Sequence, residues 1–428
     1  MTRLIVIGAG PMGLAAAYYA AKAGYAVEIV EAAGQAGGMA AHFDFGGLSL
    51  ERFYHFCCLS DVDTVELMTE LGIGDAMTWV DTKMGYFVDG KLSPFGDPIS
   101  LLRFPHLTLL EKIRYGLMAF WSTKRTDWAR LDAISAKDWF VGWCGQRAYD
   151  KLWRPLLALK FFEFAERISA AWVWQRIKRL GNSRKSLFQE QLGYIAGGTQ
   201  TLVDRLEAAI AGLGGQIRLN TPARRIVVEN GVVKGVEIQD GVVLSADRVI
   251  STVPLPYVSA LLADDAPALA ATYSGFDNIG VICVVHKLKR PVSCNFWVNI
   301  SDPAITIPGI VEFSNLRPTG DVIVYVPYYM PTSHPKFAWP DQDLADESFG
   351  YLQRINPVLT KDDRIDVHVG RLRYAQPVCD VGFAARIPPA RTPVAGLSIA
   401  DTCFYYPEDR GVSESIKFAK GMVRGLER

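Results

Sequence analysis

An α/β fold that opens on a dinucleotide-type βαβ unit is predicted by three observations. The chain begins with a glycine-rich strand–turn–helix–strand, carries Asn-Gly and Asp-Gly turns between alternating apolar runs in its middle, and ends with a strand, an acid and a helix. At 428 residues it exceeds the ~250–300 at which one hydrophobic core stops growing, so two domains are expected. Lys and Arg equal Asp and Glu at 45 each, which leaves no net charge to draw the chain onto nucleic acid.

The first unit reads in order. Leu4 to Ile7 is a short apolar strand, Gly8-Ala9-Gly10-Pro11-Met12-Gly13 a turn, Leu14 to Ala23 an Ala-rich helix, and Ala26 to Val30 a second strand ending on Glu31. The three glycines do different physical work. Gly8 makes the tight turn, Gly10 admits a pyrophosphate to the backbone, and Gly13 lets helix and strand pack closely. The phosphates meet the open N–H groups and positive end of the helix dipole. Glu31 is placed to accept from an adenosine ribose. Leu4 to Ala21 is nearly all apolar, but its three glycines and proline argue against a membrane span, and no basic leader or A-x-A cleavage site accompanies it. The seven cysteines form no CxxC pair, and neither they nor His286, His334 and His368 have metal-ligand spacing. A reduced, cytoplasmic protein with no metal site is expected.

Beyond Glu31 and Ala32 the glycine pair Gly37-Gly38 follows at short spacing, then Met39. This stretch resembles the flavin-binding signature of the superfamily that holds amine oxidases, protoporphyrinogen oxidase, phytoene desaturases, UDP-galactopyranose mutase and Rab escort proteins. The resemblance implies that FAD is the cofactor, with the glycine pair against it. It implies contacts from Gly8, Gly10, Pro11, Met12, Gly13, Glu31, Ala32, Gly37, Gly38 and Met39. Many members have Arg after the pair where this chain has Met39. The implied architecture is a Rossmann-type FAD-binding domain with an antiparallel β-meander, plus a discontinuous α+β substrate domain. The FAD-binding domain takes residues 1–84, 190–254 and 395–428, and the substrate domain 85–189 and 255–394.

Downstream, Leu48 to Cys58 occupies the place where the superfamily passes a segment beside the flavin. UDP-galactopyranose mutases have Pro-His-x-Phe-His there; Tyr54-His55-Phe56-Cys57-Cys58 keeps the first His and loses the second. Asp61 to Leu71 reads as a helix closed by Gly72. Arg103 to Lys185 is a compositional outlier, with 17 Lys and Arg against 7 Asp and Glu and seven of the ten Trp. Ser135 and Asp138 are spaced as a capping box, and Pro155 begins or breaks a helix carrying Lys160 and Phe161. Three readings of this block stand open: an aromatic core with snorkelling cations, a peripheral membrane face, or a pocket for an anionic amphipathic substrate. The superfamily places its substrate domain in this interval.

Gly193 to Thr199 is expected as a loop into a helix over Leu202 to Leu213. A meander follows: Ala223 to Val228, Asn230-Gly231, Val232 to Ile238, Asp240-Gly241, Val242 to Ser245. Ala246 to Ser251 returns to the main sheet. By resemblance, Ala223 meets the adenine through its backbone. Ile279 to Val285, Val322 to Tyr328 and Ile365 to Tyr374 read as strands. Amine oxidases place a Lys on the first of these, at the flavin N5; this chain has Val281, Ile282 and Cys283 there. At the end, the resemblance puts Asp401 at the ribityl or pyrophosphate, and Gly411 and Val412, which open the last helix, at the pyrimidine carbonyl. Tyr405 and Tyr406 are expected against the isoalloxazine.

The expected function is an FAD-dependent oxidoreductase that takes a hydride from a small apolar or amphipathic anionic substrate, with His55, Lys160 and Tyr406 as candidate catalytic groups. Expected partners are that substrate, a peripheral membrane contact and an electron acceptor. The alternatives are a sugar-nucleotide mutase and a non-catalytic lipid-binding or escort protein. The complete glycine set weighs against the last.

Overall fold

The computed structural model describes residues 1–186 and 188–426. A five-stranded parallel sheet runs Gln216–Arg218, Ala26–Val30, Arg3–Ile7, Arg248–Ser251, Leu397–Ile399. Leu4, Ile5, Val6 and Ile7 are all buried because helices cover the sheet, which is why this strand is a continuous apolar run with no alternation. The first helix (Pro11–Lys22) packs on the C-terminal helix (Val412–Leu426), bringing the first and last helices of the sequence together.

The meander forms as the Asn-Gly and Asp-Gly turns require, with strands Ala223–Glu229, Val232–Ile238 and Val243–Ser245 antiparallel. A larger, mixed seven-stranded sheet has the order Arg364–Pro377, Asn278–Leu288, Val322–Met330, Gly309–Glu312, Trp297–Ile300, Met84–Val88, Lys91–Pro94. Residues 98–182 are almost entirely helical, with Leu109–Lys124 packed on Ala170–Asn182. Ser135 caps the helix Ala136–Cys144 by accepting from the Asp138 N–H at 3.0 Å, and Pro155 sits in the first turn of Arg154–Phe161.

One expected loop is a strand. Gly193, Tyr194 and Ile195 belong to Gln189–Ile195, which pairs antiparallel with Met77–Thr82, and the turn is confined to residues 196–199. The reason is packing: a Cβ at Gly193 would lie 2.8 Å from the Trp79 ring, so this glycine marks a close approach within a sheet and not a change of direction.

Candidate active site

The nucleotide end is assembled at the carboxyl edge of the parallel sheet. The first helix starts at Pro11 with Gly10 as N-cap and no side-chain cap, so Met12 and Gly13 stand in a first turn whose N–H groups are available to an anion. Gly8 adopts φ +99°, a left-handed value that favours glycine. Glu31 accepts from the Ala9 N–H at 2.7 Å and the Ala33 N–H at 2.8 Å, one on each oxygen, which fixes its carboxylate beside the turn. Each oxygen keeps a further lone pair for a ribose hydroxyl. Ala32, between them, is exposed.

The glycine geometry tests whether FAD fits. A Cβ at Gly13 would lie 1.9 Å from the Gly8 carbonyl oxygen, so helix and turn can touch here only through glycine. A Cβ at Gly10 would meet nothing nearer than Gly38 Cα at 4.0 Å, and the Gly37 N–H donates to the Ala9 carbonyl at 2.8 Å. A Cβ at Gly38 would lie 3.0 Å from Gly10 Cα, so Gly38 packs backbone to backbone on Gly10, while Gly10 keeps open space that a side chain would fill, as a pyrophosphate cradle requires. Ala223 is half-buried at the start of its strand, opposite Ile238. Asp401 is buried, its oxygens accepting from Leu255 N–H at 2.9 Å and Cys403 N–H at 2.8 Å. Its carboxylate thereby anchors the segment that leads to Gly411 and Val412.

Gly411, Val412 and Met39 line a cavity of about 950 Å³ that runs from the C-terminal helix into the helical layer. Phe53, Tyr54 and His55 form one wall, while Val281, Cys283 and Tyr329 face it from the seven-stranded sheet. The Tyr54 hydroxyl lies 3.2 Å from that of Tyr329, and its ring packs edge-on against Trp297. Tyr86, Phe95, Tyr115, Trp153, Leu157 and Trp172 make the far end apolar.

The polar groups of this lining that lie nearest His55 and Lys160 are held by defined partners. Glu51, 2% exposed, accepts from the Thr199 N–H at 2.7 Å through Oε1, while buried Oε2 has no hydrogen-bond donor among the described residues and sits 4.0 Å from Arg317 Nη1. A buried carboxylate oxygen in this state is suited to a ligand hydroxyl. His55 Nδ1 lies 2.6 Å from the Phe53 carbonyl oxygen, which only accepts; Nδ1 therefore carries the hydrogen and Nε2 the lone pair. Burial lowers the His55 pKa below the usual value, against the opposing field of Glu51.

Lys160 Nζ is caged by the Trp172 and Tyr329 rings, at 4.9 and 4.7 Å from their centroids. Burial, then the Arg176 and Arg410 charges, hold its pKa well below the ordinary lysine range. Arg176 Nη1 stands 2.9 Å from Asp409 Oδ2, and Arg410 Nη1 donates to the Ala375 carbonyl at 2.7 Å and to Gln376 Oε1 at 2.8 Å. Burial pushes the Asp409 carboxyl up, but the surrounding cations outweigh it and bring it down to about 2. Arg179 is bidentate to Asp61, at 3.1 and 2.6 Å. Removing one partner of such a buried pair costs ~3–5 kcal/mol, so Arg179→Met is expected to lower unfolding free energy by about that amount in urea titrations.

Structure and sequence part at Tyr406. It does not line this cavity: its hydroxyl sits 2.6 Å from Ser169 Oγ and donates to Asp132, and its ring packs between Trp128 and Phe383. Tyr405 donates to Ser415 Oγ at 3.0 Å. The tight turn Thr402–Tyr405, capped by Asp401, folds both rings away from the cavity and into a separate pocket of about 430 Å³. Tyr406 is therefore a packing residue. Glu51, Arg176, Asp409 and Arg410 join the site without having stood out in the sequence. Asp409-Arg410 carried a usable signal, as adjacent opposite charges directly before the helix that begins at Val412.

Comparisons with known proteins agree with this geometry. The model of the family described as flavin containing amine oxidoreductase matches residues 13–401. The 15-cis-phytoene desaturase of Solanum lycopersicum is 24% identical over 282 residues, 61% of this chain and 48% of that protein, so the chain spans about half the length of the curated relatives it matches. Reduced UDP-galactopyranose mutase superposes with a TM-score of 0.77 at 16% identity, over 100% of this chain and 94% of that one. Putrescine oxidase bound to putrescine superposes at 0.75 and 17% identity, over 100% and 99%. At these identities the two superpositions establish the fold. With the family match spanning most of the sequence and the glycine cradle shaped for its cofactor, the chain belongs to the flavin-containing amine oxidoreductase family, with FAD as its cofactor.

Proposed function

We propose that the protein removes a hydride from carbon in an apolar or amphipathic substrate that carries an anionic group. The observation that carries this reading is the lining of the main cavity: largely aromatic and aliphatic, with Lys160, Arg176 and Arg410 drawn together where it meets Asp409 and Gly411. Bound FAD supplies the hydride acceptor. The chain's own residues hold the substrate, exclude water and take the proton. His55 is the group for that proton, since Nε2 has a free lone pair while the imidazole is neutral. Lys160 acts as an orienting group. Val281 and Cys283 face the cavity from strand Asn278–Leu288 and offer no amine, which favours oxidation at carbon over oxidation at an amine nitrogen. A pocket this enclosed by rings favours electron release to a quinone or a protein partner over reaction with oxygen. The test is anaerobic single turnover with amphipathic acids bearing a saturated carbon pair. The product is expected two hydrogens lighter, and flavin that stays oxidised with every such acid would contradict the reading.

The same reading places the protein at a membrane surface. Leu109, Leu110, Ile113, Leu117, Phe120 and Trp121 form a stripe on the helix Leu109–Lys124, each 48–66% exposed, with exposed Leu102 beside them. Phe120 and Lys124 also line the cavity, so its mouth opens on this stripe. Exposed Arg103, Lys124 and Lys185 supply charge for anionic headgroups. Among the described residues no helix is long and apolar enough to cross a membrane, so contact would be peripheral. Co-sedimentation with anionic vesicles is expected, weakening as salt shortens the screening length to ~8 Å or less, and falling with Leu110→Glu/Leu117→Glu. Equal binding by that variant would remove the membrane from the account.

A sugar-nucleotide mutase is the second reading. It is favoured by the convergence of two arginines and Lys160 beside Tyr54 and Tyr329, a set that could equally hold a diphosphate.

A further inference from the structure

We infer that Lys160 is the residue that pairs with the anionic group of the substrate, a carboxylate or phosphate on an apolar chain, and that it takes up a proton from solvent as that group arrives. This rests on the proposed amphipathic, anionic substrate and assigns its charged end to one atom, Lys160 Nζ.

The surroundings of that atom motivate the assignment. Among the described residues Lys160 has neither a carboxylate within salt-bridge distance nor a hydrogen-bond partner, although it lines the cavity. Arg176 faces it from helix Ala170–Asn182, Asp409 and Arg410 from the segment before the C-terminal helix, and Cys379 from the segment after strand Arg364–Pro377. The rings around it are Trp172, Tyr329 and Phe161. Asp409 is committed to Arg176, and Arg179 to Asp61. Among the described residues Arg410 bonds only neutral oxygens, those of Ala375 and Gln376. With Lys160 neutral, this cluster therefore holds one guanidinium charge in excess of its carboxylates. A buried positive excess attracts an anion.

The protonation follows from the same charges. Two guanidinium groups and burial oppose a charge on Lys160, while the ring faces would favour one. The missing ingredient is a negative partner. An anion within a few ångströms supplies it, so anion binding and proton binding assist each other by the same factor. The neutral amine meanwhile lets the apolar chain share the cavity without burying an unpaired ammonium.

The experiment uses the FAD-loaded full chain with decanoate and decanol as probes. Binding is followed by quenching of Trp fluorescence, since Trp153 and Trp172 line the cavity, and by calorimetry in two buffers of different protonation enthalpy. The parent is expected to bind decanoate at least about tenfold more tightly than decanol, with uptake of close to one proton. Decanoate affinity is expected to fall by up to about tenfold per pH unit above neutrality. Lys160→Met, which keeps the volume, is expected to lose the uptake and the pH slope, to weaken decanoate about tenfold, and to leave decanol unchanged. Proton uptake that persists in Lys160→Met overturns the inference. So does a decanoate preference with no uptake in the parent, although the anionic-substrate reading survives that result. Equal binding of decanoate and decanol by the parent overturns both.

Discussion

Gly10→Val is expected to yield a folded protein that retains no flavin. A Cβ at this position meets nothing nearer than 4.0 Å, so the fold itself does not resist the substitution; the two γ-carbons instead enter the open space beside Gly10 that a pyrophosphate would take. In the parent, FAD at 100-fold above its dissociation constant adds ~2.7 kcal/mol of apparent stability, and the variant is expected to lose that increment while the apoproteins melt alike. Gly13→Ala is the contrasting change. Its Cβ would fall 1.9 Å from the Gly8 carbonyl oxygen, so the strand–helix junction must shift and the apoprotein itself is destabilised. Thermal melts with and without FAD separate the two; a yellow Gly10→Val protein would show the cradle to be misplaced.

His55→Gln is expected to lower kcat by ~10²–10⁴-fold with FAD still bound, the usual contribution of a positioned acid–base group. The pH dependence fixes the sign. Burial lowers the His55 pKa below its usual 6.5, so Nε2 is free to accept a proton above that lowered value and blocked below it. The rate should therefore be level near neutrality and fall as pH drops through the lowered pKa. Gln cannot titrate, so the variant's slow rate should lack this acid limb. Stopped-flow measurement of flavin reduction between pH 5 and 8 reads both effects, and an unchanged acid limb in His55→Gln would assign the titration to another group.

The parts of this site set by local chain geometry were legible in the sequence. Gly8, Gly10 and Gly13 have roles dictated by a strand meeting a helix, and Glu31 ends a strand whose neighbour is that same turn. The Asn-Gly and Asp-Gly turns fixed the meander because they admit few alternatives. Tyr406 was misplaced because two rings beside a flavin-proximal helix look alike whether they face inward or outward. The Asp401-capped turn decides which, and only the fold reveals it. Gly193 misled for a related reason, since a glycine that admits Trp79 is indistinguishable in sequence from one that makes a turn. Lys160 and Arg176 come from neighbouring helices and Arg410 from a segment far along the chain, and their meeting depends on how the helical layer closes over the seven-stranded sheet.

The central claim is that the cavity serves hydride removal from an organic substrate by oxidised flavin. The most direct measurement mixes the purified, oxidised protein anaerobically with amphipathic acids and, separately, the dithionite-reduced protein with UDP-galactopyranose. The account predicts that at least one acid bleaches the flavin's visible absorbance in a single turnover, and that the reduced protein leaves the nucleotide sugar unchanged. Flavin that stays oxidised with every acid, together with sugar-ring isomerisation by the reduced protein, would contradict it and make the protein a mutase.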